Sequence, residues 1–397
     1  MKKVVLALFL ILVILHPDLK SQESPKAEVY FLTCGPGLET YSVYGHSALR
    51  VVIPDEGSDL VFNWGVFDFN TRNFTWKFAK GRLDYMLGAI SYESFLKDYI
   101  NEKRWVISQK VNLEEAEIQK LFTLINENLK PENIKYRYDF FYDDCSTRIR
   151  DLFEKAVGDD LLYPLEEPKS DLRTFRQLTG EFQKGFPWYK FGVDLIMGSP
   201  GDKKASFRDM MFLPVYLQSG LSKLVIRREG KMIPLLRDPE VVVDSGQAAP
   251  EENFFTSPIF VFSLLLVILI AMTGLLRERK FNRLLDTFLF TLFSILAVMM
   301  IFFNFFTDHQ QMRWNLNIIW LSPFTIVCLA SLILNRDWKT WFRVVFFLSV
   351  ACLALSPVLP QHLNNAFAPL IGIVIIRSSI RAGFSWNPLT LPYLTEL

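Results

Sequence analysis

The sequence is poor in cysteine, histidine and charged residues. Its 397 residues include four cysteines and four histidines, and only 21% are Asp, Glu, Lys or Arg. Four scattered cysteines without a CxxC pair exclude a disulfide-rich scaffold and give no indication of a zinc site. The absence of a basic face with interleaved aromatic residues argues against nucleic acid as a partner. No pattern in the sequence calls for a metal or a soluble cofactor.

Apolar side chains are abundant instead. Half of the residues are hydrophobic and 36 are phenylalanine, which is typical of a membrane protein. The net charge of +1 conceals two unlike parts, because residues 257–397 contain ten Lys and Arg against five Asp and Glu, whereas residues 1–256 carry an acidic excess. We therefore expect the two parts to lie in different solvents.

The N-terminus has the pattern of a secretory signal. Lys2 and Lys3 precede a 12-residue apolar run over 4–15, which is short for a membrane span and typical of the hydrophobic region of a signal peptide. No clean small-residue cleavage site follows. Residues 1–21 are interpreted as a signal peptide, or as an N-terminal anchor if they are not cleaved, and the chain that follows as exported.

Residues 257–381 are interpreted as an all-α transmembrane bundle of four to five helices, followed by a tail over 382–397. The apolar runs that indicate spans lie at about 258–276, 285–306, 316–334, 342–359 and 366–380, and the first four are long enough to cross a membrane. If the preceding domain is outside, nine of the ten basic residues fall in cytoplasmic loops, as the positive-inside rule requires. The exception, Arg313, lies in a polar outer loop.

Residues 22–243 are interpreted as one α+β domain, joined to the bundle by a polar linker over 244–256. Segments with the β-branched and aromatic content of strands lie at 27–34, 47–53, 60–64, 104–111 and 136–142. A helix is predicted over 113–129 with Asn112 as its N-cap, and another over 146–157 that stops at Gly158.

Two segments of this domain hold the residues for thiol chemistry. Segment 33–50 contains His46, the only histidine of the domain, and segment 139–158 contains Cys145. A thiolate is a nucleophile, and a neighbouring imidazole can take its proton. Cys145 is predicted at a helix N-terminus, where unpaired N–H groups favour a thiolate. Asn63, on the next predicted strand, is a candidate to orient His46 by hydrogen bonding, and Tyr41 and Glu39 are alternatives.

Other interpretations of these residues stay open. Cys145 could be a small core residue, or could form a disulfide with Cys34, because export compartments are oxidising. Further candidates for substrate binding are Tyr41, Arg50 and Arg148 in the exported domain and His309, Arg313 and Asn315 in the outer loop. The arginines could equally be surface charges in ion pairs, and the loop residues could be ordinary interfacial polar groups.

The order of the motifs resembles a known superfamily. His46 precedes Cys145 by 99 residues, which reverses the order in papain and is similar to circularly permuted NlpC/P60 (papain-like) thiol hydrolases. The motifs LTCGPGLETYSVYGHSALRV, FNWGVFDF and FFYDDCSTRIRD, together with the loop DHQQMRWNLN among C-terminal spans, resemble more narrowly the Lnb-type lipoprotein N-acyltransferases. One departure is DDC, where the superfamily often has an Asn-Cys pair.

This resemblance implies a circularly permuted papain-like periplasmic domain on a helical bundle in the bacterial inner membrane. It further implies transfer of an acyl chain from a phospholipid donor to the α-amino group of the diacylglyceryl-cysteine of a lipoprotein acceptor, with Cys145 as nucleophile and His46 as base. Two other functions remain: a membrane-tethered hydrolase of lipid esters or cell-wall peptides, and a non-catalytic envelope protein with a Cys34–Cys145 disulfide.

Overall fold

A computed structural model describes residues 27–165, 172–246, 250–275 and 278–384. The expected signal peptide over 1–21 and residues 385–397 of the expected tail lie outside these ranges. The described chain consists of a mixed α/β part followed by a helical part.

The α/β part contains ten described strands in two antiparallel sheets. In chain order they are β1 (Glu28–Cys34), β2 (His46–Ile53), β3 (Ser58–Val66), β4 (Asp84–Ser91), β5 (Val106–Lys110), β6 (Lys135–Arg137), β7 (Leu161–Leu162), β8 (Val225–Arg228), β9 (Lys231–Pro234) and β10 (Glu240–Val243). The large sheet has the order β10-β5-β1-β2-β3-β4-β6, and the small sheet has the order β7-β8-β9.

The helices divide between the two parts. Those of the α/β part are α1 (Phe74–Ala79), α2 (Tyr92–Asn101), α3 (Glu115–Leu129), α4 (Cys145–Val157), α5 (Phe175–Phe182), α6 (Pro187–Ile196), α7 (Phe207–Met210) and α8 (Pro214–Leu221). Those of the helical part are α9 (Pro258–Leu275), α10 (Arg279–Phe305), α11 (Phe324–Ile333), α12 (Lys339–Leu355) and α13 (Phe367–Arg381).

The large sheet is covered on both faces. Alternate residues of a strand point to opposite faces, and Phe31 packs with α4 residues such as Phe153, whereas Leu32 packs with Phe95 and Tyr99 of α2. The two hydrophobic cores on these faces hold the sheet rigid, so that residues at the ends of its strands have defined positions.

Most predicted elements of this part are confirmed. The strands at 27–34, 47–53, 60–64 and 104–111 occur within a few residues, and α4 begins one residue earlier than predicted and ends at Gly158. The N-cap predicted for α3 is wrong: Glu114 caps that helix through a capping box with Glu117. The Asn112 side chain instead donates a hydrogen bond to the carbonyl of Pro234.

Three helices of the described chain are long and apolar enough to cross a membrane, namely Pro258–Leu275, Arg279–Phe305 and Lys339–Val358. They coincide with the apolar runs at 258–276, 285–306 and 342–359. The run at 316–334 is not one spanning helix, contrary to expectation, and its helix α11 has only ten residues. The α13 helix corresponds to the run at 366–380.

The apolar run at 316–334 is interrupted for a local reason. Asn317, within the apolar run, is fully buried and donates from Nδ2 to the carbonyl of Leu195, while its Oδ1 accepts from Trp320 Nε1. Pro323, just before α11, has no N–H to continue a helix that started earlier. The first half of the run therefore packs against the α/β part as a loop.

A buried polar network joins the two parts. The carboxylate of Asp194 accepts hydrogen bonds from Arg176 at 2.9 Å, from Lys190 at 3.0 Å and from Asn364 of the helical part at 2.8 Å. Asn315 donates from Nδ2 to the carbonyl of Leu195 at 2.8 Å. Because buried polar groups are costly without partners, this network fixes how the two parts dock.

Candidate functional site

Cys145 is the first residue of α4, and its position is set by a capping box. Asp144 Oδ1 accepts hydrogen bonds from the N–H groups of Ser146 at 2.9 Å and Thr147 at 2.8 Å, and the Asp144 N–H donates to Thr147 Oγ1 at 2.7 Å. Asp-Cys-Ser-Thr thus starts the helix at the cysteine itself. The prediction of Cys145 at a helix N-terminus is confirmed.

Cys145 is buried, with only 8% of the residue exposed. Burial raises its pKa, and the backbone N–H groups of Ser47, Ser146 and Cys145 itself oppose that rise because they favour the thiolate. The net direction is upward, so the thiol is protonated at neutral pH. A base is required to activate it.

His46 begins β2 and bonds to Asn63 of the neighbouring strand β3. Nε2 of the ring lies 3.1 Å from Oδ1 of Asn63. The amide nitrogen of Asn63 donates to the carbonyl of Val61 at 3.4 Å, which orients Oδ1 towards the ring. Since an amide oxygen can only accept, Nε2 carries the proton and Nδ1 holds a free lone pair.

The imidazole of His46 is held in its neutral form. Desolvation by the surrounding protein lowers its pKa to about 4, and the hydrogen bond that the ring donates to Asn63 opposes this effect. A neutral imidazole and a neutral thiol are the starting forms for general-base catalysis rather than for a preformed ion pair.

The first turn of α4 is attached to β2 at the residue after His46. Ser47 Oγ and Ser146 Oγ lie 3.1 Å apart in a buried hydrogen bond. Among the described residues, no hydrogen bond joins the His46 ring to the Cys145 sulfur. Proton transfer between them therefore requires a closer approach, as is common for catalytic groups without bound substrate.

Cys34 is a second thiol in this domain and lies on the other side of the sheet. It ends β1 opposite His46, and its side chain packs among Phe95 and Tyr99. Cys34 and Cys145 are both free thiols. The disulfide considered from the sequence is absent, because Cys145 packs in the core on the α4 face. Burial raises the pKa of Cys34 to about 12.

The arginines proposed for substrate binding are engaged in ion pairs. Arg148 makes two hydrogen bonds to Asp143, at 2.6 and 2.9 Å, and its guanidinium lies over the Tyr136 ring. The guanidinium of Arg50 is held in the same way by Asp59. Tyr41 is 65% exposed on the loop that precedes His46. Of these three side chains, Tyr41 is therefore the one open to a ligand.

The outer loop of the helical part packs beside the turn that leads into Cys145. The ring of His309 stacks on Phe140 at 5.6 Å, and its Nε2 lies 2.8 Å from the carbonyl oxygen of Phe78. Gln311 donates from Nε2 to the carboxylate of Asp139. Burial lowers the pKa of His309. The loop thus joins the helical part to the site.

The other two loop candidates have different surroundings. Arg313 is exposed, with Nη2 3.5 Å from the carbonyl of Thr307. Asn315 is buried, and its Oδ1 accepts from Gln361 Nε2 at 3.1 Å. All polar atoms of the Asn315 side chain have hydrogen-bond partners in the protein, so Asn315 has a structural role.

Three residues near the site are not predicted from the sequence. Ser47 and Ser146 form a hydrogen bond that joins the two candidate catalytic segments. The sequence signal for this contact is only that a serine follows both His46 and Cys145. Arg104 is 6% exposed and donates from Nε to the carbonyl of Gly35 at 2.8 Å. Nothing in its sequence neighbourhood distinguishes it from a surface arginine.

Comparison with known families agrees with this architecture. The model of the Lnb N-terminal periplasmic domain matches residues 18–179, and the model of the Lnb transmembrane domain matches residues 250–385. No curated protein and no solved structure matches the chain. The two family matches together span most of the sequence, in the expected order. The chain therefore belongs to the Lnb family, with a periplasmic N-terminal part and a transmembrane C-terminal part.

Proposed function

We propose that this protein is a lipoprotein N-acyltransferase of the bacterial inner membrane. The observation that carries the proposal is the hydrogen bond between His46 and Asn63, which leaves Nδ1 of the ring as a base at the end of β2 where the Cys145 thiol lies. Membership of the Lnb family supports a role in lipoprotein processing.

The first half-reaction is acylation of the thiol. Nδ1 of His46 takes the proton of Cys145, and the thiolate attacks the ester carbonyl of a phospholipid. The tetrahedral intermediate expels the alkoxide of the lysophospholipid. This alkoxide is protonated by His46. The N–H groups of Ser47 and Cys145 that lie against the sulfur are suited to stabilise the oxyanion. The product is an acyl thioester on Cys145.

The second half-reaction transfers the acyl chain to the acceptor. The neutral α-amino group of a diacylglyceryl-cysteine attacks the thioester, and its proton passes to His46. The thiolate of Cys145 leaves and recovers that proton, so that the thiol and the imidazole return to their starting states. The product is an amide at the lipoprotein N-terminus.

Transfer of the acyl chain to the amine must be faster than hydrolysis of the thioester. This requires that water be largely excluded from the site. The turn before Cys145 is covered by the outer loop, where His309 and Phe140 stack and Gln311 bonds to Asp139. Trp76 of α1 also packs on Phe302 of α10, with ring centroids 5.4 Å apart. These contacts support a site at the membrane surface, which lipid substrates can reach.

We further propose that the periplasmic part has a circularly permuted papain-like (NlpC/P60-type) fold. The support is the chain order of the elements: the strand with His46 comes first, the strand with Asn63 second and the helix with Cys145 last. The imidazole is oriented by an asparagine amide through Nε2, which leaves the lone pair of Nδ1 free to accept a proton.

The test is a mass measurement on a diacylated lipopeptide. Full-length protein in detergent is incubated with phospholipid and a synthetic diacylated lipopeptide, as wild type, Cys145→Ala and Cys34→Ala. We expect the lipopeptide to gain one acyl chain with wild type and with Cys34→Ala, which removes a buried thiol on the other face of the sheet. Cys145→Ala should give no gain.

Two outcomes contradict the proposal. Normal acylation by Cys145→Ala would exclude the thioester mechanism. Accumulation of lysophospholipid and free fatty acid without any change in lipopeptide mass would identify a lipid hydrolase instead.

A further inference from the structure

Arg104 is a buried arginine, and one of its three guanidinium nitrogens has no hydrogen-bond partner among the described residues. Its Nε donates to the carbonyl of Gly35 at 2.8 Å, its Nη1 donates to Glu102 at 2.8 Å, and its guanidinium carbon lies 4.7 Å from the centre of the Tyr99 ring. Nη2 is buried and has no hydrogen-bond partner among the described residues. A buried charged donor without a partner is unfavourable, so its retention calls for an explanation.

Arg104 lies at the same end of the sheet as the candidate catalytic histidine. It precedes β5 by two residues, and the first residue of β5, Val106, pairs with Cys34. Cys34 in turn pairs with His46, across β1. The positive charge of Arg104 is close enough to contribute to the low pKa of His46. The arginine and the histidine therefore flank the same strand end.

The loop over 35–42 contacts Arg104, whose Nε donates to the carbonyl of Gly35. This loop packs closely on Arg104 at Gly37. A Cβ at this glycine would lie 3.2 Å from Arg104 Cδ and 2.3 Å from Ser42 Oγ, so the position leaves no room for a side chain. Residues 38–41 on the outside of the loop are exposed. Access of a ligand to Nη2 requires displacement of this loop.

We propose that Arg104 binds the phosphate group of the phospholipid acyl donor. The proposal rests on the proposed function and names the part of the donor that the site recognises. A guanidinium matches phosphate geometry and stays charged at any physiological pH. In a phospholipid the phosphate is separated from the ester carbonyl by only a few bonds, so both groups fit one end of a sheet. The acceptor of the second half-reaction carries no phosphate at its diacylglyceryl-cysteine.

A purely structural role for Arg104 makes a different prediction. The contacts with Gly35 and Glu102 hold the loop to β5, and their loss would disturb the site for every substrate alike. Phosphate recognition affects only donors that carry a phosphate. The ratio of rates with a phospholipid and with a neutral ester of the same acyl chains separates the two roles.

The experiment measures formation of the acyl thioester on Cys145 by intact-protein mass spectrometry. Full-length wild type, Arg104→Gln and Arg104→Lys are compared on a phospholipid and on diacylglycerol with identical acyl chains. For Arg104→Gln we expect kcat/KM on the phospholipid to fall by about tenfold or more, mainly through KM, with little change on diacylglycerol. Arg104→Lys should retain part of the preference, because it keeps the charge.

Arg173→Gln is the matched control. Arg173 also pairs with a glutamate, Glu181, and its guanidinium carbon lies 4.9 Å from the ring centre of Tyr216. This substitution removes a comparable stacked ion pair elsewhere in the domain, and it should leave the ratio of the two donors unchanged.

The outcomes distinguish this proposal from the proposed function. If wild type forms no thioester with either donor, the acyltransferase proposal fails. If wild type is active and Arg104→Gln loses equal activity on both donors, only the phosphate proposal is overturned. If Arg104→Gln fails to fold, a competition experiment with sn-glycerol 3-phosphate replaces it. This compound should inhibit wild type on the phospholipid more strongly than it inhibits Arg104→Lys. Equal inhibition of the two proteins would overturn the proposal.

Discussion

Oδ1 of Asn63 lies 3.1 Å from Nε2 of His46, across the pair of strands β2 and β3. This contact determines the tautomer of the imidazole and therefore which nitrogen can act as a base. It also restricts rotation of the ring about its bond to Cβ. In the proposed mechanism, the lone pair of Nδ1 receives the proton of Cys145.

Loss of the Asn63 amide should slow the reaction without unfolding the domain. In Asn63→Ala the ring of His46 is free to rotate and to change tautomer, so we expect thioester formation to slow by about tenfold to a hundredfold. Asn70→Ala, on an exposed loop, is the control and should behave as wild type. Equal rates in Asn63→Ala and wild type would exclude an orienting role.

The pH dependence of the rate should report the low pKa of His46. The neutral imidazole is the active form, and desolvation holds its pKa at about 4. We therefore expect the rate of thioester formation to be insensitive to His46 protonation at neutral pH and to fall only as the pH drops towards 4. In Asn63→Asp a carboxylate stabilises the imidazolium, and the acidic limb should move to higher pH. An acidic limb near pH 6.5 in wild type would contradict this assignment.

The same pKa predicts how stability depends on pH. The unfolded chain binds a proton at His46 near pH 6.5, whereas the folded protein binds it only near pH 4. Acidification from 6.5 to 4 therefore favours the unfolded state, and the free energy of unfolding should decrease over that range. His46→Gln removes this contribution, so its thermal unfolding temperature should fall less than that of wild type between pH 6.5 and 4.5.

Gly198 is a contact point between the two parts of the protein that allows no side chain. A Cβ there would lie 1.9 Å from the carbonyl oxygen of Arg313, while the Gly198 N–H donates to the carbonyl of Gln311 at 2.8 Å. We expect Gly198→Ala to destabilise the docked arrangement by about 1–3 kcal/mol. Thermal unfolding in detergent and proteolysis of the linker over 244–256 measure the effect.

Gly192→Ala is the matched control for this substitution. Gly192 lies within α6, and a Cβ there meets no atom within 4 Å. Because alanine is the better helix former, Gly192→Ala should be neutral or slightly stabilising. If both alanine variants behaved alike, the contact at Gly198 would not limit docking.

Asp286 should be essential for the stability of the helical part. It is fully buried and lies 2.5 Å from Nε of Arg377, and it also pairs with Arg381. In Asp286→Asn the buried arginine loses its counter-charge, for which we expect a cost of about 3–5 kcal/mol. Asp337→Asn, in an exposed pair with Lys339, is the control. The measurement is the unfolding temperature of the purified proteins, and equal values would contradict the expectation.

The elements with strong local patterns could be predicted from the sequence. The strand of His46 and the helix of Cys145 were found because alternation, capping residues and a terminal glycine are local signals. The apolar run at 316–334 wrongly predicts a spanning helix. Hydropathy carries no information on the hydrogen bond between buried Asn317 and Leu195, because the two residues are distant in the chain. The N-cap at Glu114 was missed because Asn112 has an equally suitable side chain but bonds to Pro234 instead.

The sequence is sufficient to predict an exported part and a membrane part, and to pair one histidine with one cysteine as candidate catalytic groups. These depend on composition and order along the chain. Which side chains surround these two groups depends on the folded chain: Asn63 bonds to His46, Ser47 bonds to Ser146, and Arg104 lies at the same strand end with an Nη2 that has no partner among the described residues. Such contacts join residues from separate segments, and they form only when burial of the two sheet faces brings those segments together.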